Sequence, residues 1–105
     1  MNHKILIADD EVRIRILLSD FLMANNYTVI EAANGEEAVD AFYDDPSIHL
    51  LILDVMMPLM DGFQVLAEIR KISQVPVIML TARTGENDEL RGFNTGADEY
   101  VPKPF

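Results

Sequence analysis

Short runs of aliphatic residues alternate with amphipathic stretches along this chain. Ile5-Leu6-Ile7-Ala8 and Leu50-Leu51-Ile52-Leu53 are continuous and apolar, as strands buried on both faces are. After the first run, Ile14, Leu17, Leu18 and Phe21 recur at helical spacing, with Arg13, Arg15, Ser19 and Asp20 between them. This predicts a helix over roughly residues 11–24 that buries the first set and exposes the second. Asn25-Asn26-Tyr27 breaks it, and Thr28 to Glu31 reads as a short strand. Asn34 with Glu37 three residues on resembles a capping box, opening a helix that turns Ala38, Ala41 and Phe42 inward and stops near Asp44-Asp45-Pro46. A third strand follows from about Ile48 to Asp54. Pro58 to Gly62 forms a loop into a helix with Phe63, Leu66 and Ile69 on one side. Val75 to Thr81, rich in β-branched residues, is the fourth strand. A fourth helix begins near Gly85, with Glu86, Asp88 and Glu89 at the positive end of its dipole, and Gly96 is placed to end it. Glu99 to Val101 makes a fifth strand that runs into Pro102-Lys103-Pro104-Phe105.

Regular strand and helix alternation without repeats or linkers argues for a parallel α/β sheet. Within it, the two most apolar strands run straight into acid: Asp9-Asp10 after the first, Asp54 after the third. Ligands of open parallel sheets sit beyond the carboxyl ends of the strands where the strand order reverses, so these acids can share one crevice. Three carboxylates there repel, and a hard divalent cation with oxygen ligands is the natural neutraliser.

Composition narrows the class. The chain has 105 residues, enough for one domain with little margin, and half of them are hydrophobic, which argues against disorder. It has no cysteine, which removes disulfides and thiolate metal sites. The apolar stretch before Asp9 is too short for a signal peptide, and no run approaches membrane-spanning length, so the expected protein is soluble and cytoplasmic, without a membrane partner. With 18 acidic against 8 basic side chains the net charge is −10, which disfavours direct contact with nucleic acid or anionic lipid. A DNA role needs a second domain.

Asp9-Asp10, Asp54 with Met57-Pro58 and Asp61-Gly62, Thr81-Ala82, and Lys103-Pro104-Phe105 stand in order, each at the end of a strand. Together they resemble the receiver domain of two-component response regulators, and the resemblance runs from the first strand to the last residue. It implies a flavodoxin-like, doubly wound, five-stranded parallel sheet of order 2-1-3-4-5. Asp54 would be the phosphoacceptor, and Mg²⁺ the cofactor, held directly by Asp10, through water by Asp9, and by Asp54 and the backbone carbonyl of Met56. Lys103 would pair with phosphoryl oxygens and Thr81 would donate its hydroxyl to another. Thr81 and Tyr100 would form the switch, and Lys103-Pro104 would be a cis peptide. A sensor histidine kinase would be the phosphoryl donor.

The stretch 95–101 resembles the subclass that carries a winged-helix DNA-binding domain, which implies transcription regulation and a homodimer on activation. Glu89 stands where that subclass often has a basic residue of the dimer face. Right-handed crossovers in order 2-1-3-4-5 leave one sheet face with the first helix alone. Receiver domains cover that face with a fifth helix after Lys-Pro-Phe. The chain stops at Phe105, so the expectation is an incomplete receiver over residues 1–105, marginal as a monomer or associating through the exposed face.

Taken singly, these residues have plainer roles. Asp9 or Asp10 alone would cap a helix, Thr81 is a common strand residue, Lys103 a common surface charge, and Tyr100 an amphipathic edge aromatic. Their conjunction is what points to phosphoryl chemistry. Two other functions use the same features: a metal-dependent phosphohydrolase, and an interaction module that keeps the fold without phosphorylation.

Overall fold

The computed structural model describes residues 3–81 and 96–103. Five strands, β1 (Lys4–Ala8), β2 (Thr28–Ala32), β3 (Leu50–Asp54), β4 (Val77–Thr81) and β5 (Glu99–Pro102), form one parallel sheet of order β2-β1-β3-β4-β5. Three helices are described: α1 (Val12–Ala24), α2 (Gly35–Asp44) and α3 (Gly62–Arg70). The strand order is the expected one. The fourth helix expected near Gly85, with Glu86, Asp88 and Glu89, lies outside the described residues, as do Ala82, Thr95, Pro104 and Phe105.

Successive residues of the central strands serve opposite faces, which is why their apolar runs are unbroken. Leu6, Ala8, Leu51 and Leu53 join Phe42 of α2 and Phe63, Leu66 and Ile69 of α3 in the larger core. Ile5, Ile7, Ile52 and Leu80 face the other way, where Ile14, Leu18 and Leu22 of α1 pack against them. Among the described residues α1 alone covers that second face, and a groove of about 190 Å³ lined by Leu18, Ile52, Ile78, Leu80 and Val101 lies beside it. The capping reading of α2 holds: the Asn34 side chain accepts from the Glu37 N–H at 2.9 Å. β3 starts at Leu50 and not Ile48, because the Ile48 N–H is turned back to the Asp45 carbonyl at 3.3 Å.

The orientation of α1 differs from the sequence expectation. Leu17 and Phe21 are exposed, Phe21 by 65%, while Ser19 is buried and Arg15 points inward. The half-buried line that packs on the sheet is Ile14, Leu18 and Leu22, at i, i+4 and i+8, and Leu17 and Phe21 form a parallel apolar row one step round the helix. Arg15 is tolerated on the inner side because its guanidinium finds two acceptors there, the Asp9 carbonyl at 2.7 Å and Glu31 at 3.2 Å.

Candidate functional site

The register of the sheet brings the acids together. Ala8 pairs with Leu53, Asp54 with Leu80, and Thr81 with Pro102, so the residues that follow β1, end β3 and β4, and follow β5 all emerge at one edge. That edge lies where the order reverses between β1 and β3. Carboxylate oxygens of Asp9, Asp10 and Asp54 lie within 4.8 Å of one another. Asp9 is fully buried and Asp54 is 5% exposed, whereas Asp10 is open to solvent.

Lys103 supplies the counter-charge. Its ammonium stands 2.9 Å from Asp9, 3.3 Å from Asp54 and 3.5 Å from Glu11. Its backbone N–H donates to the Thr81 carbonyl at 2.7 Å, which fixes the residue to the end of β4 and aims its side chain back over the strand ends. Asp9 accepts through one oxygen from Lys103 and through the other from the Glu11 N–H at 2.9 Å.

The loop from β3 to α3 is shaped by tight packing beside Asp54. The Gly62 N–H donates to the Val55 carbonyl at 2.8 Å, and Asp61 caps α3 in a reciprocal pair with Gln64. Leu59 sits at φ 72°, with the Met60 N–H bonded back across it to the Pro58 carbonyl at 2.8 Å, a strained three-residue turn. A Cβ on Gly35 would run into the Met60 carbonyl, so the start of α2 also confines this loop.

Burial, and then the charge of Asp9, push the Asp54 carboxyl up to about 6 against the opposing pull of Lys103. For Lys103, burial works to lower its pKa, but the hydrogen bond to Asp9 and the charges of Asp54 and Asp9 outweigh it and raise it. An acid pushed up beside two other acids is the electrostatic signature of a site suited to a further cation. The donors are all oxygen, which suits Mg²⁺ or another hard divalent ion.

The site residues named from sequence divide as follows. Asp9, Asp10, Asp54 and Lys103 converge. Thr81 is buried at the end of β4, and Tyr100 is half-buried on β5 against the larger core, opposite Met79 in the register. Met56 is exposed two residues beyond Asp54. Pro104, the second half of the expected cis peptide, lies outside the described residues. Sequence reasoning gave no role to Glu11, set Arg15 on the exposed face of the first helix, and took Gly62 only as part of a motif at the end of a turn. Glu11 carried a signal, since it directly follows Asp9-Asp10; Arg15 carried none, because its partners are a backbone carbonyl and a residue of another strand.

A parallel sheet of this order with acids at its switch point defines a receiver-like α/β protein, and the comparisons agree. The chain belongs to the response regulator receiver domain family, whose model matches residues 5–105. It is 44% identical over all 105 residues to the transcriptional regulatory protein SrrA of Staphylococcus aureus (strain NCTC 8325 / PS 47), and spans 43% of that protein's length. Among solved structures it is similar to chemotaxis protein CheY4 of Vibrio cholerae, with TM-score 0.92 and 34% identity over 100% of this chain and 89% of the other. It is also similar to a response regulator receiver domain protein of Clostridium thermocellum, with TM-score 0.92 and 32% identity over 98% and 83% of the two chains.

Proposed function

We propose that the chain is the phosphorylation switch of a two-component system and that Asp54 takes the phosphoryl group. The observation that carries this is the Asp54 carboxylate itself, buried at the end of β3, 3.3 Å from Lys103 and clustered with Asp9 and Asp10. A carboxylate oxygen of Asp54 attacks phosphorus in line with the bond to the donor. With a phosphohistidine of a sensor kinase the P–N bond breaks and its electron pair returns to the imidazole nitrogen. Lys103 is placed to pair with the phosphoryl oxygens as a point charge. Asp10, exposed and unengaged through its side chain among the described residues, is suited to hold Mg²⁺ directly. Asp9, already occupied by Glu11 and Lys103, is suited to act through a bound water, and Asp54 and the Met56 carbonyl would complete the set. Mg²⁺, when bound, supplies charge neutralisation on the transferring group.

The same reading makes the chain a catalyst only of its own phosphorylation and dephosphorylation. Thr81 then moves its hydroxyl to the new phosphoryl oxygens, and Tyr100 on the neighbouring strand takes up the space released. Likeness to SrrA supports a transcriptional output, with DNA contact through sequence beyond this acidic domain and pairing of two copies on activation. No described helix is long and apolar enough to cross a membrane, and we place the protein in the cytoplasm, where its kinase partner presents phosphohistidine.

The test is the intact mass after incubation with acetyl phosphate and Mg²⁺, beside an Asp54→Ala variant. Gain of one phosphoryl group, lost in the variant and without Mg²⁺, is the expected result. No gain in folded protein would favour an interaction module that works without phosphate.

A further inference from the structure

Only residues 9–11 separate the end of β1 from the start of α1, and this short loop carries both Asp9 and Asp10. Ordinary helix capping does not hold it: the N-cap residue Glu11 makes no side-chain cap bond, and the first turn of α1 has no acid. The loop is tied instead through Asp9. Its N–H donates to the Ala32 carbonyl at 3.2 Å, its carboxylate is taken by the Glu11 N–H and Lys103, and its carbonyl accepts from Arg15 Nη1 at 2.7 Å. Asp10 has no side-chain hydrogen bond among the described residues, yet a carboxylate oxygen of it lies within 4.8 Å of those of Asp9 and Asp54, so its place in the cluster depends on the backbone that carries it.

We propose that Arg15 is a positioning residue for the cation site. Braced on Glu31 of β2, it holds the Asp9 carbonyl from α1 and so sets the peptide that aims Asp10. The inference rests on the functional reading above, in which Asp10 holds the cation. The Arg15 side chain is only 16% exposed, and its planar guanidinium reaches the Asp9 carbonyl and the Glu31 carboxylate at once, which a lysine ammonium at the end of a flexible stem does not reproduce. Glu31 offsets its charge, so the effect on the acids is one of direction, and Lys103 remains their counter-charge. Groups that orient metal ligands from behind typically alter metal affinity by about 10- to 100-fold when removed.

The experiment is a Mg²⁺ titration of the intact protein followed by backbone amide resonances, for the wild type, Arg15→Gln, Arg15→Lys and Glu31→Gln. The ¹⁵N shift of the Asp10 amide is recorded before any Mg²⁺ is added. Arg15→Gln is expected to weaken Mg²⁺ binding about tenfold. Arg15→Lys and Glu31→Gln should weaken it less, and the Asp10 amide should already be displaced in all three metal-free variants. Should Arg15→Gln fail to fold, the two milder variants carry the comparison. Mg²⁺ affinity within twofold of the wild type in the folded variants overturns the inference while leaving the functional reading intact. A wild type that binds no Mg²⁺ overturns both.

Discussion

A Cβ placed on Gly62 would lie 2.5 Å from the backbone oxygen of Asp54. The glycine opens α3 and its N–H is bonded to Val55, so the helix can neither slide away nor rotate without breaking that bond. The backbone dihedral is not the reason for glycine here, because among the described glycines only Gly96 has positive φ. Close approach to the acid-bearing strand is. Gly62→Ala is therefore expected to cost roughly 1–3 kcal/mol, the usual range for overpacking a filled site. It should also displace Asp54 and slow phosphoryl uptake from acetyl phosphate. Urea unfolding and a phosphorylation time course check this; a variant within about 0.5 kcal/mol of the wild type and equally fast would show that the loop yields freely.

That contact is invisible in the sequence, where Gly62 reads as the end of a turn and as half of the Asp61-Gly62 motif. What was legible was whatever the strands determine locally: apolar runs that must be buried, acids at their ends, and Asn34 three residues before Glu37. The face of α1 was not legible for a specific reason. Apolar residues lie around most of the helix: besides the rows Ile14-Leu18-Leu22 and Leu17-Phe21, Val12, Ile16 and Met23 are apolar and exposed, and periodicity cannot choose among them. The choice is made by tertiary contacts, including the two acceptors that draw Arg15 inward. Gathering of the acids required the strand order, which came from resemblance; the individual residues would each have passed as caps or surface charges.

Ser19 offers a test of that helix orientation. It is buried, and its hydroxyl has no hydrogen-bond partner among the described residues. A buried unsatisfied hydroxyl costs about 1–3 kcal/mol, and alanine is also the better helix former. Ser19→Ala is expected to stabilise the protein by about 1 kcal/mol, or a rise of roughly 4–8 °C in Tm for a domain of this size. Had α1 lain as its sequence suggested, with Ser19 in water, the substitution would change Tm by far less. A fall in Tm would show that the hydroxyl has a partner worth keeping.

Met56 bears on the lifetime of the phosphorylated state. It lies two residues past Asp54, with its side chain exposed, and a thioether cannot orient or deprotonate an attacking water. Loss of the phosphoryl group is therefore expected to be slow. Met56→Glu, which places a carboxylate there, should speed it by roughly tenfold, short of the roughly hundredfold or more that a fully positioned base contributes. Following the mass of the phosphorylated protein over time decides it. A half-life of seconds in the wild type, or no acceleration in the variant, would mean that water is positioned by another group.

The pH dependence of stability should carry the mark of Asp54. Its pKa rises from the ordinary 3.8 to about 6 on folding, so the folded protein binds this proton more tightly than the unfolded chain does. Its favourable contribution is complete below pH 3.8, fades as pH rises toward 6, and is gone above that. About two pK units at 1.36 kcal/mol each give roughly 3 kcal/mol between the two limits. Asp45, held down to about 2 first by the hydrogen bond from Lys4, acts in the opposite sense and below this window, as its stabilisation is lost only when pH falls from 3.8 toward 2. Lys103, raised above 10.5, loses its contribution only in stronger alkali. Asp54→Asn, which removes the charge and keeps the shape, should therefore be more stable than the wild type at pH 8 and nearly equal to it at pH 4. Urea unfolding at the two pH values measures the gap. Saturating Mg²⁺ at pH 8 should narrow it, because the cation favours the ionised acids of the wild type and meets one fewer in the variant. A gap that ignores both pH and Mg²⁺ would mean that Asp54 is already neutralised by Lys103, and that the clustered acids do not act on one another through their charge.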